Sequence, residues 1–121
     1  IVDTAHTVAS MKILRESIEE SFSFRKLVLV IGLSSDKDIE GVLKEIVSIS
    51  NDLIFTRTGN PREADPEQMA VIAKQFTHNN LMVIEDIDDA LQEAKEIANA
   101  DDLICITGSF FLAGKVKELF D

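Results

Sequence analysis

Residues 26–47 read KLVLVIGLSSDKDIEGVLKEIV, and they decide the fold. The first eight are β-branched and Leu-rich, with no alternation of polar and apolar positions. A strand with one wet face alternates and a strand buried on both faces does not, so 26–33 predicts a fully buried strand. The polar turn Ser34-Ser35-Asp36-Lys37 follows. Beyond it Ile39, Val42, Leu43, Ile46 and Val47 recur at the three- and four-residue spacings of one helical stripe. Strand, short turn and amphipathic helix form the repeating unit of an α/β protein.

The same alternation extends both ways. Toward the N-terminus, Ile1-Val2-Asp3 reads as the tail of a strand, and 7–22 as a helix with Val8, Met11, Leu14, Ile18 and Phe22 in one stripe. Toward the C-terminus, 52–56 is a third strand and Gly59-Asn60-Pro61 breaks the chain. Asp65 suits an N-cap, Pro66 the first helical position and Gln68 the capping-box position. That helix is expected to run to about residue 77 and to bury Met69, Ile72, Ala73 and Phe76. A strand at 81–84 follows, then a helix capped by Asp86 with Leu91, Ala94, Ile97 and Ala98 inward. A fifth strand at 102–107 and a last helix at 110–120 complete the pattern. Five apolar runs alternating with five helices imply right-handed crossovers and a doubly wound, mostly parallel sheet with helices on both faces. At 121 residues the chain is a single domain.

Composition excludes several classes. The longest apolar run, 27–33, is far short of the roughly 20 residues of a membrane helix, and no signal segment opens the sequence. One cysteine, Cys105, rules out a disulfide framework and a cysteine zinc site, so a reducing, cytoplasmic setting is expected. Net charge is −10, with five basic and thirteen acidic residues in 61–121, and no basic footprint for nucleic acid is visible.

Ligands of such sheets bind outside the carboxyl ends of the strands. That rim collects Asp3 and His6, residues 34–38, residues 57–62, Glu85 and Asp86, and Thr107-Gly108-Ser109. Singly, each has a plainer reading. Asp3 and His6 fit a helix cap bonded to each other, and Asp36, Lys37 and Asp38 a solvated turn with one N-cap. Asn60-Pro61-Arg62 fits a turn with Arg62 paired to Glu63 or Asp65, and Ser109 an N-cap after a strand exit. Cys105 reads as an inert core residue. Gly108 and Gly114-Lys115 approach the phosphate-loop signature but miss its spacing and its hydroxyl, and no Gly-x-Gly-x-x-Gly follows any strand. A phospho-acceptor receiver would need a carboxylate where Thr56 and Arg57 stand.

Taken in order, the rim segments resemble the C-terminal domain of the folate-adding Mur-type ligases, folylpolyglutamate synthase and dihydrofolate synthase. Asp3-Thr4-Ala5-His6-Thr7 is similar to that family's Asp-Gly-Ala-His-Asn/Thr. Gly32 with Asp36-Lys37-Asp38 resembles its Gly…Asp-Lys-Asp loop, and Asn60-Pro61-Arg62 with Ala64-Asp65-Pro66 its Asn-Pro-Arg-Ala segment. Thr107-Gly108-Ser109 with Phe111-Leu112 and Gly114 is similar to its closing Thr-Gly-Ser…Gly. Peptidoglycan Mur ligases share the first and third segments but commonly end in a Lys-Gly-His-Glu type sequence. Thr4 stands where Gly is usual, and Gly59 where the Mur ligases have Asp.

The resemblance implies a Rossmann-like Mur ligase C-terminal domain, one part of a larger two-domain enzyme whose N-terminal ATPase domain lies outside this chain. The implied reaction is ATP-dependent addition of L-glutamate to a folate or dihydropteroate carboxylate through an acyl phosphate. Asp3 and His6 are then expected at ATP, and Lys37, Asn60, Arg62 and Ser109 at glutamate. The Mg²⁺ ligands are expected in the missing domain, and this domain alone is expected to be inactive. A peptidoglycan amino-acid ligase and a non-catalytic α/β binding module are the competing readings.

Overall fold

The computed structural model describes residues 1–108; the expected helix at 110–120 and Ser109 lie outside the described residues. Its elements, in order, are α1 (Val8–Ser21), β1 (Leu27–Ile31), α2 (Ile39–Val47), β2 (Asp52–Phe55), α3 (Pro66–Ala73), β3 (Asn80–Val83), α4 (Ile87–Ile97) and β4 (Leu103–Thr107). The four strands form one sheet in the order β3-β2-β1-β4, and every pairing is parallel. The α/β class and the doubly wound arrangement agree with the sequence reading.

β1 lies between β2 and β4, which explains its composition. Leu27, Leu29 and Ile31 pack on one face under α1, α2 and α3; Val28 and Val30 pack on the other under α4. All five are fully buried. The first cluster joins Met11, Leu14, Ile18, Leu43, Ile46, Phe55 and Met69, and the second joins Ile54, Ala90, Leu91, Ala94 and Ile106. Each large side chain so buried contributes about 1.5–3 kcal/mol.

The chain winds outward from β1 through β2 to β3, then α4 carries it back across the opposite face to β4 on the far side of β1. The direction of winding therefore reverses between β1 and β4. In sheets of this type ligands are held outside the carboxyl ends of the strands at such a reversal.

Residues 1–3 behave as the expected strand tail: Val2 makes a parallel bridge to Ile106, the Ile1 ammonium donates to the Ile104 carbonyl at 2.6 Å, Ile106 N–H to the Ile1 carbonyl at 2.8 Å and Asp3 N–H to the Ile106 carbonyl at 2.9 Å. One bridge falls short of a full fifth strand, so the described sheet has four. Two expectations need correction. α3 ends at Ala73 rather than near 77, because Gln75 and Phe76 N–H bond to the carbonyls of Ile72 and Ala73 and tighten the last turn. Ile72, Phe76, Ile97 and Ala98 are only half-buried.

Helix starts follow the expected chemistry. Thr7 and Ser10 form a reciprocal capping box on α1. Asp38, Asp65 and Asp86 cap α2, α3 and α4 through their carboxylates; at α3 the Asp65 carboxylate takes Glu67 N–H, and the capping box expected of Gln68 does not form.

Candidate functional site

The 3–6 loop is fastened to the exit of β4. The buried Thr107 hydroxyl donates to the Ala5 carbonyl at 3.2 Å, and Asp3 N–H bonds to Ile106. Within the loop Ala5 N–H donates to Asp3 Oδ1 at 2.7 Å. His6 Nδ1 lies 2.7 Å from the Thr4 carbonyl, which can only accept, so Nδ1 carries the proton. Asp3 and His6 are therefore ordered by the loop's backbone, and the helix cap falls to Thr7 and Ser10. Thr4 adopts no positive φ, so the backbone there accepts a side chain. An open cleft of about 290 Å³ separates this loop from α1, with Asp3, His6 and Ser10 among its polar lining. Ile13 and Leu14 supply an apolar wall; Ile13 is 67% exposed.

Two further loops meet beside it. Residues 34–37 turn after β1, with Lys37 N–H on the Ser34 carbonyl at 3.2 Å. Residues 58–64 follow β2 and are stapled to that turn: Ser35 N–H donates to the Arg62 carbonyl at 2.6 Å, and Ala64 N–H to the Leu33 carbonyl at 2.7 Å. An isolated antiparallel bridge joins Ser34 and Glu63. The structure thus brings Lys37, Asn60 and Arg62 onto two joined loops. Neither the Lys37 ammonium nor the Arg62 guanidinium has an ion pair among the described residues. The expected pairing of Arg62 with Glu63 or Asp65 does not form. Asn60 spends its Oδ1 on Arg62 N–H at 2.9 Å, an Asx turn around Pro61 that leaves its amide N–H₂ as donor.

Arg57 behaves differently, and sequence reading did not separate it from Arg62. It bonds Glu85 at 3.1 Å and Glu63 at 3.5 Å, so its charge is spent inside the protein. The Glu85 hydrogen bond raises its pKa, and with the charges of Glu85 and Glu63 it outweighs the opposing effect of burial. Glu63 Oε2 also accepts from Thr58 N–H at 2.8 Å and Gly59 N–H at 3.1 Å. The signal available in the sequence was two acidic residues, Glu63 and Glu85, at the exits of neighbouring segments, each able to reach one arginine.

At the exits of β1 and β4, Gly32 N–H reaches the Thr107 carbonyl at 3.3 Å, and Gly108 takes φ +113° against Gly32. No group of three or more His, Cys, Asp or Glu side chains among the described residues is placed to hold a metal ion. No helix among them is long and apolar enough to cross a membrane. Cys105 is a core residue, its thiol pushed up to about 12 mainly by burial.

Comparison with known proteins agrees with this geometry. The family model described as Mur ligase, glutamate ligase domain, matches residues 1–110. The chain is 30% identical to a dihydrofolate synthase/folylpolyglutamate synthase of Mycobacterium tuberculosis, over 98% of this chain and 27% of that protein. It is 31% identical to a UDP-N-acetylmuramoyl-L-alanyl-D-glutamate–2,6-diaminopimelate ligase of Clostridioides difficile, over 100% of this chain and 27% of that protein. Among solved structures, the Mycobacterium tuberculosis folylpolyglutamate synthase complexed with ADP superposes with a TM-score of 0.92 at 29% identity, over 98% of this chain and 29% of that one. The chain spans about a quarter of the length of the curated relatives it matches. It belongs to the Mur ligase glutamate ligase domain family.

Proposed function

We propose that this chain is the substrate-positioning C-terminal domain of an ATP-dependent ligase that adds L-glutamate to a folate or dihydropteroate carboxylate. The observation that carries the reading is the pair of cations without an ion pair among the described residues, Lys37 and Arg62, on stapled loops at the carboxyl rim. Glutamate has two carboxylates, and an Arg fork can grip one of them in bidentate form while Lys37 meets the other as a point charge. Ser109, next in sequence to Gly108, and the Asn60 amide complete the proposed glutamate site.

Asp3 keeps one carboxylate oxygen unspent on the loop, which suits a ribose hydroxyl. The apolar wall at Ile13 suits a base, and His6 closes the same cleft. In the proposed reaction a folate carboxylate oxygen attacks the γ-phosphorus of ATP and ADP leaves. The glutamate amine then attacks the acyl phosphate and phosphate leaves. The phosphate-binding loop and the Mg²⁺ ligands belong, in this reading, to a further domain of the parent protein. The described rim supplies orientation by domain closure.

The likeness to a diaminopimelate ligase supports a second reading, since diaminopimelate also carries two carboxylates. One assay separates them: ADP release by the parent protein with dihydropteroate, a reduced folate, or the UDP-linked muramoyl dipeptide as acceptor, each with glutamate and with diaminopimelate. Turnover with glutamate and a folate acceptor is expected. Turnover only with the muramoyl acceptor transfers the domain to the second reading, and no turnover with any acceptor overturns both. In the active pairing, Arg62→Ala is expected to raise KM for the amino acid by roughly tenfold to a hundredfold, the loss of one charge-assisted bidentate contact, with KM for ATP nearly unchanged.

A further inference from the structure

We infer that Glu63 is a positioning residue for the amino-acid substrate, setting the loop conformation in which Arg62 is presented. The inference rests on the reading of Arg62 as the glutamate anchor. Glu63 is the sequence neighbour of Arg62, yet it leaves that guanidinium alone and reaches back across its own loop. One carboxylate oxygen takes two successive backbone N–H groups, Thr58 at 2.8 Å and Gly59 at 3.1 Å, and the other meets Arg57 at 3.5 Å. Gly59 stands at φ +89°, so residues 58 and 59 aim their donors at one point, a small backbone nest for an anion. The chain's own carboxylate fills it.

The remaining bonds of the loop converge on the same result. Asn60 N–H donates to the Thr58 hydroxyl, Arg62 N–H to Asn60 Oδ1, and Glu63 N–H to the Asn60 carbonyl. Arg57 is itself fixed by Glu85 beyond β3, so the loop is referenced to two strand ends. On the other side the Arg62 carbonyl is tied to Ser35 N–H. The Arg62 backbone is therefore held from both sides, while its guanidinium has no ion pair among the described residues. Ordering the anchor before binding lowers the entropy lost when substrate arrives. With both its oxygens occupied inside the loop, and with a charge that repels a carboxylate substrate, Glu63 acts through Arg62.

The test is steady-state kinetics on the parent ligase carrying Glu63→Ala, Glu63→Gln, Arg62→Ala and the double variant. Glu63→Ala is expected to raise KM for glutamate about tenfold, the loss of two charge-assisted N–H bonds and an ion pair, with kcat and KM for ATP within about twofold. Glu63→Gln keeps a carbonyl acceptor for the nest and is expected to rescue most of that loss. In the Arg62→Ala background, Glu63→Ala is expected to add almost nothing, since its effect passes through Arg62. Full additivity in the double variant, or an unchanged glutamate constant in Glu63→Ala beside a raised one in Arg62→Ala, overturns this inference alone. An unchanged constant in Arg62→Ala overturns the glutamate reading and the inference with it. Where Glu63→Ala fails to fold, Glu63→Gln decides by the same split: a small rise confined to the glutamate constant supports the inference, and equal rises for glutamate and ATP overturn it.

Discussion

Replacing Gly108 by Ala, beside the same change at Gly59, separates two physical costs at the rim. Both residues have positive φ, +113° and +89°. A Cβ on Gly59 would meet nothing within 4 Å, whereas one on Gly108 would collide with the Gly32 carbonyl oxygen and lie 3.0 Å from Ile31 Cγ1. At Gly59 the alanine therefore bears only the left-handed penalty of about 1–2 kcal/mol, less about 0.4–1 kcal/mol for the stiffer unfolded chain, a net loss near 1 kcal/mol. At Gly108 those contributions recur and the backbone must also move. The opposing oxygen belongs to a residue whose own N–H is bonded to Thr107, so it cannot swing aside without loosening the β1–β4 exit. Overpacking of this kind adds about 1–3 kcal/mol, for a total of about 2–4 kcal/mol. At about 4 °C per kcal/mol for a chain of this size, Tm falls by about 4 °C in Gly59→Ala and by about 8–16 °C in Gly108→Ala. Far-UV circular dichroism is the assay, since the chain has no Trp or Tyr to report by fluorescence. Equal losses at the two positions would refute the close approach of the two strand exits.

Two more predictions concern titratable groups. Burial pushes the Asp102 carboxyl up, but the Asn99 N–H with Arg25 and Lys26 outweighs it and holds the pKa below the usual carboxylate range. A depressed folded value means that the stabilisation is complete above the unfolded value of about 3.9 and is lost as pH falls through the folded one. Asp102→Asn should flatten the acid limb of a urea-midpoint curve below about pH 4, and an unchanged limb would contradict the network. The Cys105 thiol, pushed up to about 12, should react with an aromatic disulfide reagent at pH 8 only as fast as the chain opens. Complete labelling of the native chain within minutes would show that the strand is not buried as described.

The class of fold was readable because β1 is central, and centrality leaves a mark: five successive apolar residues with no polar alternate. The strand order was less readable. Residues 81–84 are as apolar as a central strand, yet β3 is an edge with half-buried side chains. Its place is set by α4 crossing to the far side of β1, a choice made by packing between distant segments. The site divided in the same way. Order along the chain placed Lys37, Asn60 and Arg62 on one rim, because every β-strand of a parallel sheet ends there. Which arginine is free depended on Glu85, which lies 28 residues from Arg57 in sequence and 3.1 Å from it in space. No local pattern encodes that pairing.

The two ends of the sheet use cations in opposite ways, and this argues for where recognition occurs. At the amino end Arg25 meets Asp102 at 3.2 Å, and Lys26 meets Asp52 at 3.0 Å, with Asn80 on the same carboxylate. Those charges are consumed in holding β1, β2, β3 and β4 in register. At the carboxyl end Arg57 is consumed likewise, by Glu63 and Glu85, while Lys37 and Arg62 have no ion pair among the described residues. In a chain of net charge −10, two uncompensated cations cannot project an attractive field beyond a Debye length of about 8–10 Å. Under the proposed function, an anionic substrate would not be steered to this rim from a distance; it would be recognised on contact, by shape and hydrogen bonds. In that reading the burden would fall on how firmly Arg62 is held before the substrate arrives, and the loop that Glu63 closes through Thr58 N–H, Gly59 N–H and Arg57 would be the part of the fold that holds it.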